Sequence, residues 1–416
     1  MIRNRYAIIA ILTGLNLLNY LDRYVLAAIG EPMKHALGFN DEQLGLIGQA
    51  FLISYLVTSP IFGRLGDVFA RKVLITGGVL VWSVATVASG FTSTFWPMWG
   101  TRTFVGVGEA SYASLSPTVL DDITPPTLKG RILAIFYSAI PIGSALGYLL
   151  GGYLEKALDW RWAFFIAGAP GAVLALLCLA IEEPARHVHG EGTDAHAPVQ
   201  PGSLARDLGA LLASPRYVWS VIGFTAQTFG LGGFSYWAPK LLVRTYNFPN
   251  DQGNMIFGGI VVITGFVGTF LGGFLADRMA GEDRSKSALL LCLVSTVVAI
   301  PFGFWSIIAS NPTTFFIANA CAQLAIFFST SPLNAVLLDS VPARTRATAM
   351  GMSIFVGHLL GDLISVWLVG KLSDTFGDLG KAMYVLAVSL IANAIAWAIA
   401  WRTAKFEEHV EPTVAA

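Results

Sequence analysis

The run from Val73 to Phe91 contains no Asp, Glu, Lys or Arg, and neither does the run from Ala382 to Trp401. Each reaches the roughly 17–25 apolar residues that a helix needs to cross a hydrocarbon core. In lipid a segment must satisfy its own backbone hydrogen bonds, and the short alternating strands of a membrane barrel are absent here. Charged residues are 12% of the chain, against ~25% in an ordinary soluble domain, and cannot cover a water-facing surface. The chain reads as an all-α membrane protein. A formal net charge of zero argues against a nucleic-acid partner. Cys178, Cys292 and Cys321 lie in apolar runs without the paired spacing of a disulfide framework or a metal site, so neither metal nor cofactor is expected.

Apolar periodicity places spans near 6–30, 43–66, 72–92, 95–120, 130–155 and 160–182, and again near 215–244, 252–279, 286–308, 313–340, 346–373 and 380–403. This predicts twelve transmembrane helices in two six-helix halves, 1–182 and 215–403. A polar linker covers 183–214 and a tail 404–416. Within the linker, Ser203–Ala213 has the pattern of a short amphipathic helix on the membrane surface. The first apolar stretch is too long for a cleaved signal and reads as a retained helix. Of the 26 Lys and Arg, seventeen fall on the side of the termini and linker and seven on the other, with Arg23 and Arg102 inside spans. Positive charge accumulates in cytoplasmic loops, so both termini and the linker are expected there.

The halves repeat. Gly63-Arg-Leu-Gly-Asp67 after the second helix recurs as Gly273-Phe-Leu-Ala-Asp277 after the eighth, and Pro141-Ile-Gly143-Ser-Ala-Leu-Gly147 has a counterpart in Phe355-Val-Gly357-His-Leu-Leu-Gly361. Two matches at nearly one offset imply a duplicated unit, and such halves commonly enclose a site near the bilayer midplane. Glycines there permit a tight turn and close helix approach. Asp67 and Asp277, with Gly63, Arg71, Lys72 and Arg278, lie at the cytoplasmic edge, where pairing would latch the halves in one state. This loop resembles the signature of the major facilitator superfamily, as does Arg102-Thr-Phe-Val-Gly106-Val-Gly108 in the fourth helix.

Arg102, Gly106 and Glu109 stand at i, i+4 and i+7 on one helical face, and Asn16, Asn19 and Arg23 form a matching stripe with Asp22 at its edge. Ionisable groups inside a span are costly and face a cavity or a partner. Helical rise brings Asp22 and Arg102 to similar depth in a ~30 Å core. Glu109 lies within reach of Arg23, and the sequence leaves both pairings open. In the second half, His358 and Asp362 are four residues apart; they would bind a phosphate, relay a proton or simply pack the eleventh helix. Asn319, Gln323, Asn334 and Gln227 add polar lining, and Tyr112, Tyr137, Phe224, Phe229, Tyr236 and Trp237 are candidates for an apolar wall.

A closer resemblance lies in Asn19-Tyr-Leu-Asp22-Arg23, Gly106-Val-Gly-Glu109-Ala-Ser-Tyr112, Phe136-Tyr-Ser-Ala-Ile-Pro141, His358-Leu-Leu-Gly361-Asp362 and Trp237-Ala-Pro239. These strings resemble the spinster branch of the superfamily. The resemblance implies a bacterial homologue in the inner membrane that exports sphingoid or lysophospholipid amphiphiles, with proton coupling in at least some members. By motif position it carries over Asp22, Arg23 and Glu109 as functional charges. The reading that follows is proton-coupled alternating access by a monomer, with Asp22 and Glu109 as proton sites. Arg23 and Arg102 are their partners, and Asn16, Asn19, Tyr112, Tyr137, Gln227, Trp237, His358 and Asp362 line the cavity. The alternative is a transporter of a small organic anion or drug. The nucleophile-and-base cluster that a membrane enzyme requires is not evident.

Overall fold

The computed structural model of the chain describes residues 2–124, 129–183, 204–279, 284–341 and 346–403. The helices are α1 (Arg5–Leu37), α2 (Asp41–Val68), α3 (Arg71–Ser89), α4 (Phe95–Ile123), α5 (Lys129–Ala157), α6 (Trp160–Leu179), α7 (Leu204–Leu212), α8 (Pro215–Tyr246), α9 (Asn250–Met279), α10 (Arg284–Ile308), α11 (Pro312–Phe327), α12 (Thr330–Asp339), α13 (Arg346–Leu360), α14 (Asp362–Phe376) and α15 (Leu379–Thr403). Ile2 and Ile181 form the one β-bridge among the described residues. The tail 404–416 and most of the linker lie outside them.

Among the described residues nine segments are long and apolar enough to cross a membrane, α11–α12 and α13–α14 each counting as one. Three helices of 33, 29 and 32 residues, α1, α4 and α8, fall short of that mark although they are long enough. They are the helices whose apolar runs are interrupted by Asn19, Asp22, Arg23, Arg102, Glu109 and Lys240. Asp22, Arg102, Glu109 and Lys240, buried charges within the spans, thus lie on the long helices that are least apolar.

The sequence repeat has a packing role. A Cβ on Gly147 of α5 would lie 2.6 Å from the Leu21 carbonyl oxygen of α1, and one on Gly357 of α13 would lie 2.6 Å from the Phe224 ring of α8. In each half, glycines of the fifth span let the first span approach closely, as small residues do in membranes. The eleventh span is predicted as one helix but breaks at Gly361, whose φ and ψ of −92° and −105° are not helical. A break also separates α11 from α12.

We call the end holding both described termini the near end and the opposite one the far end. At the far end one apolar core runs through both halves, joining Ala27, Ile29 and Leu44 to Trp237, Leu241, Phe257 and Val366. At the near end two separate cores form, one around Leu12, Val79 and Val119 and the other around Tyr217, Leu289 and Trp397. Along α2, a Cβ on Gly45 would meet the Val366 carbonyl oxygen at 2.8 Å, whereas one on Gly63, on the same face about five turns on, meets nothing within 4 Å among the described residues. The halves are packed together at the far end and diverge toward the near end.

Candidate functional site

Both charge pairings left open by the sequence are present together. Arg102 of α4 places one guanidinium nitrogen 3.3 Å from each carboxylate oxygen of Asp22 on α1. Thr86 of α3 donates its hydroxyl to the same carboxylate at 3.1 Å. Arg23, the next residue of α1, donates Nε to Glu109 at 2.8 Å. Adjacent residues on a helix point about 100° apart, which is how one turn of α1 serves two partners on α4.

The two pairs differ in access. Asp22, Arg102 and Glu109 are sealed, at 0%, 1% and 0% exposure, whereas the Arg23 side chain is 21% exposed. The rings of Tyr20, Phe51 and Tyr55 surround the Arg23 guanidinium, with centroids 4.8, 4.6 and 5.1 Å away. Cation–π contacts of this kind favour a cation partly removed from water. Among the described residues, Glu109 Oε1 and Arg102 Nε have no hydrogen-bond partner. The site therefore offers one accessible cation backed by a buried carboxylate with an unused oxygen.

The other sequence candidates are placed as follows. Asn16 donates to the Phe136 carbonyl at 2.9 Å, joining α1 to α5, and the buried Asn19 Nδ2 has no partner among the described residues. The Tyr112 hydroxyl bonds to the Leu12 carbonyl at 2.5 Å inside the first half, while Tyr137 is 47% exposed. Gln227 accepts from Ser329 at 3.1 Å beside the α11–α12 break, and Trp237 donates Nε1 to the Val366 carbonyl at 2.9 Å, holding α8 on α14. His358 and Asp362 pair at 3.0 Å across the Gly361 break. Arg71 is held inside the first half by Asp122 at 2.5 Å and Glu183 at 3.2 Å, and Lys72 Nζ by the Ile181 carbonyl at 2.9 Å. Arg278 is exposed. The side chains of Asp67 and Asp277 lie outside the described residues.

The far end carries a polar seam that the sequence reading did not single out. Arg244 of α8 reaches Glu31 of α1 at 2.7 Å and Asp41 of α2 at 2.6 Å, and Lys34 joins Asp41 at 2.5 Å. Ser373 of α14 donates to Asp41 at 2.6 Å. The Asp374 carboxylate accepts the backbone N–H groups of Asp41 and Glu42 at 3.0 and 2.7 Å, capping the N-terminus of α2 from the opposite half. Lys156 pairs with Asp251 at 2.8 Å.

Prolines supply further acceptors in this seam. A proline inside a helix leaves the carbonyl four residues earlier without its helical donor. Pro32 frees the Ala28 carbonyl, which accepts from Asn250 at 3.2 Å and Asn254 at 3.3 Å of α9. Pro239 frees the Ser235 carbonyl, which accepts from the Tyr148 hydroxyl of α5 at 2.7 Å. In both cases the freed oxygen is filled from the other half. The helix predicted to end at Gly30 instead runs to Leu37. The charges beyond Gly30 read in sequence as loop residues, but Glu31 and Asp41 find a partner across the interface in Arg244.

Comparison with known proteins is consistent with this architecture. The sequence profile of the Major Facilitator Superfamily matches residues 12–366. Protein spinster homolog 3 of Danio rerio is 35% identical over 90% of this chain and 78% of its own length. The probable sphingolipid transporter spinster homolog 1 of Arabidopsis thaliana is 32% identical over 94% of this chain and 87% of its own. Among solved structures, a bacterial homologue of the human lysosomal transporter Spinster, in an inward-facing and unoccupied conformation, superposes with a TM-score of 0.84. Its identity is 20%, over 97% of this chain and 98% of that one.

Proposed function

Because the chain belongs to the major facilitator superfamily and to its spinster group, and is thus an integral membrane transporter, we propose that it moves a lipid-like amphiphile by proton-coupled alternating access. The cargo class is a lysophospholipid or a sphingoid phosphate. The observation that carries the proposal is the Arg23–Glu109 pair, a partly exposed cation in an aromatic cage against a fully buried carboxylate. An amphiphile needs a charged anchor beside apolar surface rather than the many hydrogen-bonding side chains that bind a sugar.

The arrangement suggests how cargo and proton communicate. Arg23 stands between open space and Glu109, so an anionic head group that engages Arg23 competes with Glu109 for it. A carboxylate left buried without its cation is tolerated when protonated. Asp22 and Arg102, sealed behind this pair, are the second proton site and its partner. The near end is the cytoplasmic one on the distribution of Lys and Arg, so the observed state is inward-open, with the far-end seam as its closed gate. Asp67 and Asp277 at the near end act as the latch of the opposite state.

The test is uptake of radiolabelled lysophosphatidate, sphingosine phosphate and a small dicarboxylate into vesicles of purified protein with an imposed pH gradient. Gradient-dependent uptake of either amphiphile that is lost in Arg23→Ala supports the reading. Uptake of the dicarboxylate alone overturns it in favour of a small-anion transporter.

A further inference from the structure

Lys240 of α8 is 1% exposed and lies between the halves, one helical turn from Arg244 toward the membrane centre. Its ammonium donates to the Ala27 carbonyl of α1 at 3.1 Å and to the Tyr236 carbonyl of its own helix at 2.7 Å, and sits 3.8 Å from the centroid of the Tyr236 ring. Among the described residues no carboxylate lies within ion-pair distance of it. The neighbouring carboxylates, Glu31 and Asp41, are both engaged by Arg244. Across the interface the lysine fills the space left by Gly30, where an added Cβ would collide with its Cε and lie 2.8 Å from its Nζ.

An ammonium held only by neutral dipoles is costly to bury, and its contact with Ala27 exists only while α1 and α8 are together. Separation of the helices at the far end removes that contact and the Arg244 contacts with Glu31 and Asp41 in one movement. Two cations at i and i+4 on one face of α8 are then left facing the gap, and paired cations at that spacing suit a phosphate monoester.

We propose that Lys240 and Arg244 form an anion-binding site, occupied by the protein's own groups while the far end is closed and open to the phosphate of an amphiphilic cargo once α1 leaves α8. The substrate half of this proposal rests on the function inferred above. Arg23 receives the head group in the observed state, and the α8 cations receive it in the opposite one. Because an anion binds them only when the far end is open, binding there favours that state.

The experiment follows acetylation of Lys240 in purified, detergent-solubilised protein by peptide mass spectrometry, which requires no transport. Wild type is compared with Glu31→Gln/Asp41→Asn, which keeps both cations and unlocks the seam, and with Gly30→Ala, which displaces the lysine sterically. Labelling should be slow in wild type and at least about ten-fold faster in either variant. Lysophosphatidate should slow it again, and monoacylglycerol of the same chain length should not. Slow labelling in every form overturns the exposure, and fast labelling that lysophosphatidate does not slow overturns the anion site. Lys240→Met in vesicles should raise the KM for lysophosphatidate from the far side by roughly ten-fold or more, the loss of one charge-assisted contact, leaving arrival at Arg23 unaffected. Wild-type vesicles that move no amphiphile would refute the substrate reading alone, since the labelling result stands independently.

Discussion

Replacing Arg244 with alanine should open the far end. Arg244 donates to Glu31 through Nε and one terminal nitrogen, and to Asp41 through both terminal nitrogens, at 2.6–2.9 Å. Hydrogen bonds to charged groups contribute about 1.5–3 kcal/mol each, but those sharing one guanidinium do not add. A better measure is the cost of removing one partner from a buried pair, about 3–5 kcal/mol, because carboxylates remain behind without their cation. Glu31 and Asp41 are only 5% and 4% exposed, but Arg244 is 22% exposed and Asp41 keeps Lys34 and Ser373. The discounted figure is about 2–3 kcal/mol, a shift of roughly 30- to 150-fold toward the far-open state. The assay is pulsed electron spin resonance between labels on Leu158 and Ser310, exposed residues in far-end loops of opposite halves, in a background without the native cysteines. The distance distribution should move to longer separations in Arg244→Ala and only partly so in Arg244→Lys, which keeps the charge but loses the fork. Identical distributions in wild type and Arg244→Ala would refute the view that this seam holds the far end closed.

Other outcomes follow from the site and the latch. Whichever state binds protons more tightly gains population as pH falls, by about 1.4 kcal/mol for each unit of pKa difference between states. Glu109→Gln should remove most of the pH response of the same spin-label distances and Asp22→Asn the remainder, whereas His358→Ala should leave it largely intact; a full response in the double carboxylate variant would move the proton sites to α13–α14. Asp67→Asn should shift the balance between the two open states without changing cargo affinity, and near-end label distances that stay unchanged at every pH would remove its latch role. Gly147→Leu should lower thermal stability by the equivalent of about 1–3 kcal/mol, because its side chain must displace the α1 backbone at Leu21; an unaltered melting temperature would show that α1 can move away without cost.

The sequence by itself determined the elements whose causes are local. Uninterrupted apolar runs specify spans, Lys and Arg in loops set an expected orientation, and the recurrence of Gly143-x-x-x-Gly147 as Gly357-x-x-x-Gly361 announced equivalent packing in the two halves. Helical spacing also brought Asn16, Asn19 and Arg23 onto one face and Arg102 and Glu109 onto another, because that geometry depends only on residues one or two turns apart. Tertiary structure decided the rest. That Asp22 takes Arg102 while Arg23 takes Glu109 depends on the rotation of α1 against α4, which side chains of similar reach leave undetermined. Glu31, Lys34, Arg244 and Asp374 had the composition of ordinary loop charges, and Lys240 was one more cation counted on the outer side. Lys34 pairs within its own half, but the partners of Glu31, Arg244 and Asp374 lie in the other half of the chain, as do the donors that fill the carbonyls freed by Pro32 and Pro239. These contacts exist because the halves meet at the far end, and the same sequence must also support a state in which they part. A property that belongs to one of two arrangements of the same helices is set by the packing between halves, where no local pattern of residues records it.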